Sequence, residues 1–161
     1  METVIDNPGS NEKPVEYAGF WLRFVAALID GVVMDLLIVI PLSMMIDFKN
    51  LNPDHLVREI QRMQLHNPLF SLYMIVVPWM YFAILESSSK QATFGKMALG
   101  LQVTDLEGKR VTFAKATGRF FSKIVSALTL TYGYMMAGFT PKKQALHDKL
   151  SDCLVIKKAG N

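Results

Sequence analysis

The sequence predicts an all-α membrane protein with two full transmembrane helices, a third apolar segment, an interfacial amphipathic helix and a small cytoplasmic β element. Three observations support this fold class. Apolar residues make up 51% of the 161 residues, and the mean hydropathy is +0.25. Two long segments carry few or no charges, and basic residues flank the apolar segments. The length suits one domain, so we expect a flexible tail over residues 1–16 and one membrane domain over residues 17–158.

The first apolar segment runs from Phe20 to about Ile46, which exceeds the roughly 20 residues that a spanning helix needs. Asp30 and Asp35 interrupt this segment. A carboxylate at mid-membrane costs about 2.5–3.5 kcal/mol, so such residues usually face a bundle interior or a wet cavity. Both aspartates are therefore candidates for coupling an ion or a proton, and a polar contact between helices is the alternative reading.

Small residues four positions apart lie on the same segment, at Ala27 and Gly31. Such a pair lets two helices approach closely in a membrane. Because two or three spans cannot enclose a solute path, the sequence predicts a homo-oligomer or a membrane partner subunit, with the lipid bilayer as the surrounding partner.

The next stretch predicts a short amphipathic helix that lies on the outer membrane surface or under other loops. Asn52 and Pro53 are suited to the cap and the first turn, and Leu56, Ile60 and Met63 repeat at helical spacing. Asn67 and Pro68 end this helix. The second apolar segment, Leu69–Leu85, then has 17 residues without charge and is predicted to cross the membrane, with a kink at Pro78.

A second, shorter interfacial helix is predicted to begin near Thr93. Its apolar stripe would contain Phe94, Met97, Ala98 and Leu101, with Lys96 lying off the stripe. The alternation over 102–113 around Glu107 and Gly108 predicts a small β-hairpin, which the apolar run 154–156 could join.

The third apolar segment, Ile124–Thr140, has 17 uncharged residues but is diluted by threonine and glycine. The loop 86–118 and the tail after Thr140 each contain five lysines and arginines, against three in the loop 47–68. The positive-inside rule therefore places the loop 86–118 and the C-terminal tail in the cytoplasm, and the N-terminus with them. A re-entrant hairpin broken near 131–133 satisfies this rule and is favoured, and a third full span with an outward basic tail is the alternative.

Several classes of function are disfavoured by the residues present. No basic face with interleaved aromatic residues indicates nucleic-acid binding. His55 and His66 have no cysteine nearby, so no metal site is expected, and the single Cys153 is expected to be a buried thiol. His147 and Asp148 are adjacent, and neighbouring helical positions do not face each other. The sequence therefore predicts no enzyme and no cofactor.

Three motifs in order carry a resemblance to a known family. They read RFVAALIDG over 23–31, QATFGKMALGL over 91–101 and KQALHDK over 143–149. In these motifs the chain resembles the RDD family of small bacterial membrane proteins, over about residues 17–158. The resemblance implies that Arg23, Asp30 and Asp148 are the signature residues. It also implies a supporting set of Thr93, Gly95, Lys96, Gly100, Arg119 and His147.

The resemblance also implies a location in the bacterial inner membrane and favours transport. Transport in this family has been proposed to include exchange of cations for protons, which suits Asp30 as the exchanging carboxylate. The sequence hypothesis is thus exchange of a monovalent cation for protons. The alternative is a non-catalytic scaffold or assembly subunit in which the signature charges lock the structure. The resemblance further suggests an ion pair between Arg23 and Asp148.

Overall fold

The computed structural model describes residues 15–43, 53–129 and 132–158. Across these residues the chain is mostly helical, with one short two-stranded sheet. In chain order the elements are α1 (Phe20–Ser43), α2 (Pro53–His66), α3 (Pro68–Ser87), α4 (Phe94–Ala98), β1 (Leu101–Asp105), α5 (Phe113–Leu128), α6 (Tyr132–Met135), a 3-10 turn (Met136–Gly138), α7 (Leu146–Leu150) and β2 (Cys153–Lys157).

Two of the described helices are long and apolar enough to cross a membrane, Phe20–Pro41 and Pro68–Ser87. Their apolar side chains lie largely on the outside: Trp21 is 74% exposed and Leu69 is 75% exposed. Helices whose apolar side chains face outward in this way suit a lipid surround rather than water. The two long apolar helices predicted from the sequence are therefore confirmed.

The connection between α1 and α3 contains the predicted helix α2. The side chain of Asn67 accepts hydrogen bonds from the N–H groups of Leu69 and Phe70 and so caps α3, with Pro68 in the first turn. The predicted cap Asn52 and the side chains of Leu56 and Met63 lie outside the described residues. The position of α2 at a membrane surface stays a prediction.

The sheet pairs β1 with β2 in antiparallel register, with Val103 opposite Val155. The predicted hairpin within 102–113 is reduced to a single bridge between Thr104 and Arg110. Gly108 has the positive φ that the turn between Thr104 and Arg110 requires. The apolar run at the C-terminus is thus the main partner of β1, because it pairs with that strand along its whole length.

The short helix α4 lies where the sequence predicted, and its position at a membrane interface stays a prediction. Phe94 is half exposed, whereas Gly95 and Lys96 are buried. The reason is that Gly95 packs against α1 and Lys96 forms an ion pair with Glu86. Contacts across the chain, rather than apolar periodicity, set the orientation of this helix.

The third apolar segment is divided between three elements. Its residues form the end of α5, then α6 and the 3-10 turn. Among the residues described, no candidate membrane span lies in this segment. α5 itself begins at Phe113, where the side chain of Thr112 caps it by accepting from the N–H of Lys115. Because β1 and β2 pair, the chain enters and leaves this region at the same end. The re-entrant hairpin and the third full span both stay predictions.

Candidate functional site in a charged cavity beside the first helix

Asp30 lies inside the chain, on the face of α1 that meets α3 and α4, and is 3% exposed. Its Oδ1 accepts hydrogen bonds from the Tyr81 hydroxyl at 2.8 Å and the Gly95 N–H at 2.7 Å. Its Oδ2 accepts one from the Thr93 hydroxyl at 2.6 Å. The negative charge therefore lies at the first turn of α4, where free N–H groups favour an anion.

Gly95 permits this arrangement because the backbones of α1 and α4 nearly touch there. A Cβ atom built at Gly95 would overlap the carbonyl oxygen of Ala26 and lie 2.9 Å from the Cγ of Asp30. The close small-residue contact of α1 within the chain is therefore Ala26 against Gly95. Ala27 and Gly31 line a cavity instead.

Asp148, on α7, is fully buried and binds two arginines. Its Oδ1 accepts from Arg119 through Nε at 2.9 Å and Nη2 at 2.7 Å, and its Oδ2 pairs with Arg23. Arg23 also donates to the carbonyl oxygens of Ala18 and Lys143. The ion pair suggested between Arg23 and Asp148 is present, and Arg119 is the additional partner.

Glu86, at the end of α3, is the second buried carboxylate of this cluster. Its Oε2 accepts from Arg119 Nη1 at 2.8 Å, and its Oε1 pairs with Lys96 Nζ at 2.5 Å. Lys123 Nζ lies farther from Oε1, at 3.9 Å, and stacks 3.6 Å above the ring centre of Phe82. Arg119 thus joins the two carboxylates into one connected network.

The charges of the cluster shift one another's protonation. Burial alone would raise the pKa of Asp148, but the guanidinium groups of Arg119 and then Arg23 hold it far below its usual range. Burial alone would lower the pKa of Arg119, but Glu86 and Asp148 raise it above its ordinary value. Burial outweighs the attraction of Glu86 at Lys96, so its pKa is lowered.

Burial also shifts the pKa of two further groups near the cluster. Burial lowers the pKa of Lys123 to about 7, against the opposing attraction of Glu86. Burial also lowers the pKa of His147 to about 3, against the attraction of Asp148. The His147 Nε2 lies 3.4 Å from Asp148 Oδ1, closer than their adjacent positions on a helix suggested. Its Nδ1 lies 3.2 Å from the Ser126 hydroxyl, which holds the ring in place as a neutral group.

These side chains border a cavity of about 570 Å³ beside α1. The lining comes from α1, α3, α4, α5, α6 and the C-terminal segment. The residues that line it are Phe20, Arg23, Phe24, Ala27, Asp30, Gly31, Met34, Phe82, Lys96, Arg119, Lys123, Tyr134, Met135, Ala145, His147 and Val155.

The residues predicted from the sequence are thus mostly brought together, with two exceptions. Asp35 points away from the cavity and is exposed on the outer side of α1. Gly100 lies after α4 with a positive φ of 64° and serves the turn into β1 rather than the cavity.

Sequence reasoning missed Glu86, Tyr81 and the role of Lys123. Glu86 ends a long charge-free segment, and an acid in that position is a signal that could have marked it as a buried partner. Lys123 precedes another apolar segment and could have been marked in the same way. Nothing local to Tyr81 distinguishes it from the other aromatic residues of α3.

Comparison with known proteins identifies the family. The RDD family profile matches residues 17–152, which is most of the chain and includes the first helix, α4 and α7. The chain belongs to the RDD family. It is 34% identical over 154 residues to the uncharacterized protein YxaI of Bacillus subtilis (strain 168), an alignment covering 91% of this chain and 99% of YxaI. It is 30% identical over 149 residues to the uncharacterized membrane protein YteJ of the same organism, covering 87% of this chain and 80% of YteJ.

No solved structure matches the chain significantly. The family match and the two long outward-facing apolar helices together identify an RDD family membrane protein in contact with lipid. The three residues predicted as the RDD signature, Arg23, Asp30 and Asp148, all lie in or against the charged cluster.

Proposed function

We propose that this RDD protein is a small membrane transporter whose solute site is the cavity beside α1. The observation that carries the proposal is the cavity itself, which places charged side chains inside an otherwise apolar helical protein. Ionisable groups within a membrane protein are costly and commonly line a solute or proton path.

Exchange of a monovalent cation for protons at Asp30 is the form of transport that the sequence predicts. Support for it is that Asp30 lines the cavity and is close to the apolar centre of α1. For a cation to bind there, one of the three donors on the carboxylate must turn away. The hydroxyl of Tyr81 can do so by a side-chain rotation, whereas the N–H of Gly95 is fixed in α4.

The test is ion flux in proteoliposomes under an imposed pH gradient. Asp30→Asn removes the exchangeable charge with little change in size, and Asp35→Asn is the matched control because Asp35 lies on the same helix outside the cavity. We expect sodium or potassium flux in the wild type and in Asp35→Asn, and flux at the level of empty liposomes in Asp30→Asn. Unchanged flux in a folded Asp30→Asn protein would reject Asp30 as the carrier.

A non-catalytic scaffold or assembly subunit is the second candidate. The observation that favours it is that both oxygens of Asp30 and of Asp148 already bind donors within the chain. In this case Asp30→Asn lowers the melting temperature of the purified protein, while the wild type carries no flux of any ion tested. The same two measurements thus separate the candidates.

We further propose that the protein is a multi-pass protein of the inner membrane, with both termini in the cytoplasm. Two arguments support this. The loop 86–118 and the tail after Thr140 are the richest in basic residues. β1 lies within this loop and β2 within this tail, and the pairing of the two strands supports placing both regions on one side.

A homo-oligomer or a membrane partner subunit completes the proposal. Two long apolar helices with most of their surface uncovered cannot surround a path on their own. Chemical cross-linking of the protein in its native membrane, followed by electrophoresis, distinguishes a self-assembly from a complex with another subunit.

A further inference from the structure

The charges of the buried cluster do not balance. Four basic side chains, Arg23, Lys96, Arg119 and Lys123, share two carboxylates, Glu86 and Asp148. Asp30 adds a third carboxylate to the cavity lining, held by the neutral donors of Tyr81, Thr93 and Gly95, so the basic groups still outnumber the acidic groups by one. A buried excess of positive charge is costly unless an anion neutralises it.

The excess faces the cavity. All four basic side chains line it, whereas Glu86 and Asp148 lie behind them, at 1% and 0% exposure. Among the described lining residues the acidic group is Asp30, at 3% exposure. Lys123 and Arg23 are the most exposed of the charged lining side chains, at 21% and 12%, so the open part of the cavity attracts an anion.

Lys123 is the basic residue with the weakest pairing in the cluster. Its Nζ lies 3.9 Å from Glu86, beyond hydrogen-bond distance, while Lys96 and Arg119 hold the same carboxylate at 2.5 Å and 2.8 Å. The ammonium group rests on the face of Phe82, a cation–π contact that leaves its N–H donors available. An arriving anion would also restore the charged form that burial disfavours.

Much of the cavity lining is apolar. Phe20, Phe24 and Met34 contribute from α1 over almost four turns, interspersed with Arg23 and Asp30, and Tyr134 and Met135 add to this lining from α6. A ligand that fills the cavity thus needs both a charged end and an apolar body.

We propose that the cavity binds an anion that bears an apolar group, a phosphate or carboxylate amphiphile, with its charged end on Lys123 beside Lys96. This proposal rests on the proposed function, because both take the cavity as the ligand site. It differs in the charge of the ligand, which is negative here. The charged end can come from a lipid headgroup of the bilayer or from a free amphiphile, because both present the same oxygens.

The experiment measures binding of radiolabelled dodecyl phosphate to the full chain in nanodiscs of phosphatidylcholine, with empty nanodiscs subtracted. We expect saturable binding that dodecanol and dodecyltrimethylammonium displace poorly. Lys123→Gln should weaken this binding about tenfold or more, the effect of losing one charged hydrogen bond. Lys123→Arg should restore most of it.

The matched control is Lys115→Gln, which removes a lysine from the exposed side of the same helix and should leave binding unchanged. Equal affinity in the wild type and Lys123→Gln would overturn the proposal. Better competition by dodecyltrimethylammonium than by dodecanol in the wild type would also overturn it, and this readout does not depend on any variant folding.

Two further arms identify the source of the anion. Competition by phosphatidylglycerol placed in the nanodiscs supports a bilayer lipid, and lack of such competition supports a free amphiphile. The binding assay is independent of flux. Lys123-dependent binding without any transport would contradict the transport function and support this inference. Asp30-dependent cation flux without anion binding would contradict this inference alone.

Discussion

Arg119 uses three N–H groups of its planar guanidinium to hold carboxylates on two different helices. Glu86 belongs to α3 and Asp148 to α7, so this one side chain joins elements far apart in the chain. A lysine could not replace it, because a single ammonium group lacks the fork that reaches both partners. At this scale Arg23, Arg119, Glu86 and Asp148 form a shared network rather than isolated pairs.

This sharing predicts the outcome of a charge reversal at Arg23 and Asp148. Either single change, Arg23→Asp or Asp148→Arg, leaves a buried charge without its partner and should destabilise the protein by about 3–5 kcal/mol. The double reversal should not restore stability, since the new arginine would face Arg119. Melting temperatures in detergent measure the effect.

The control is the same exchange at an exposed ion pair, Lys109→Glu with Glu107→Lys. Both side chains are over 70% exposed, so this swap should leave the melting temperature unchanged. Full recovery in the buried double variant would mean that Arg119 does not share Asp148, and the network described above would be wrong.

At the scale of elements, α4 is stable only because of its neighbours. A helix of five residues is too short to persist alone. Asp30 binds its first turn from α1, and Lys96 connects it to Glu86 at the end of α3. The contact with α1 is close enough that position 95 must be glycine.

Gly95→Ala should therefore separate α4 from α1. The added methyl group meets backbone rather than a flexible side chain, so we expect a loss of about 1–3 kcal/mol, typical of overpacking. Gly118→Ala is the control, because a Cβ at this position in α5 meets no atom within 4 Å. It should be neutral or stabilising by up to about 1 kcal/mol, from helix propensity. Equal melting temperatures in the two variants would contradict the close approach.

The elements most accessible to sequence reasoning were those fixed by local chemistry. Continuous apolar length marked α1 and α3, and the Asn67 cap with Pro68 marked where α3 begins. The face of α4 was beyond such reasoning, because its orientation depends on Glu86 and Asp30 on other helices. The start of α5 could not be predicted either, because Arg119 and Lys123 interrupt the apolar pattern of this helix, which begins at Phe113.

The residues of the candidate site also differ in how far the sequence could predict them. Asp30 stood out because a carboxylate within an apolar segment is costly, and Arg23 and Asp148 stood out through family resemblance. Glu86 could not be connected to Arg119 from the sequence, because the two are 33 positions apart and no motif relates them. Ion pairs between residues distant in sequence cannot be deduced from their spacing along the chain.

At the scale of the whole molecule, the start of α1 and the end of the chain lie together. The Ala18 N–H donates to the Val155 carbonyl at 2.9 Å, and the Lys157 N–H donates to the Glu16 carbonyl at 2.8 Å. Since β2 also pairs with β1, three segments distant in sequence form one surface at one end of the two long helices. In a membrane that surface lies on one side.

This arrangement predicts accessibility to a membrane-impermeant thiol reagent. The native Cys153 is buried, so the test uses a Cys153→Ala background with single cysteines introduced at exposed sites. Lys109→Cys beside β1 and Lys158→Cys after β2 should react from the same face of sealed vesicles, because the strands are hydrogen-bonded. Arg58→Cys in α2 should react from the other face, because one spanning helix lies between position 58 and each of positions 109 and 158. Labelling of positions 109 and 158 from opposite faces would require a third span between them and would break the sheet.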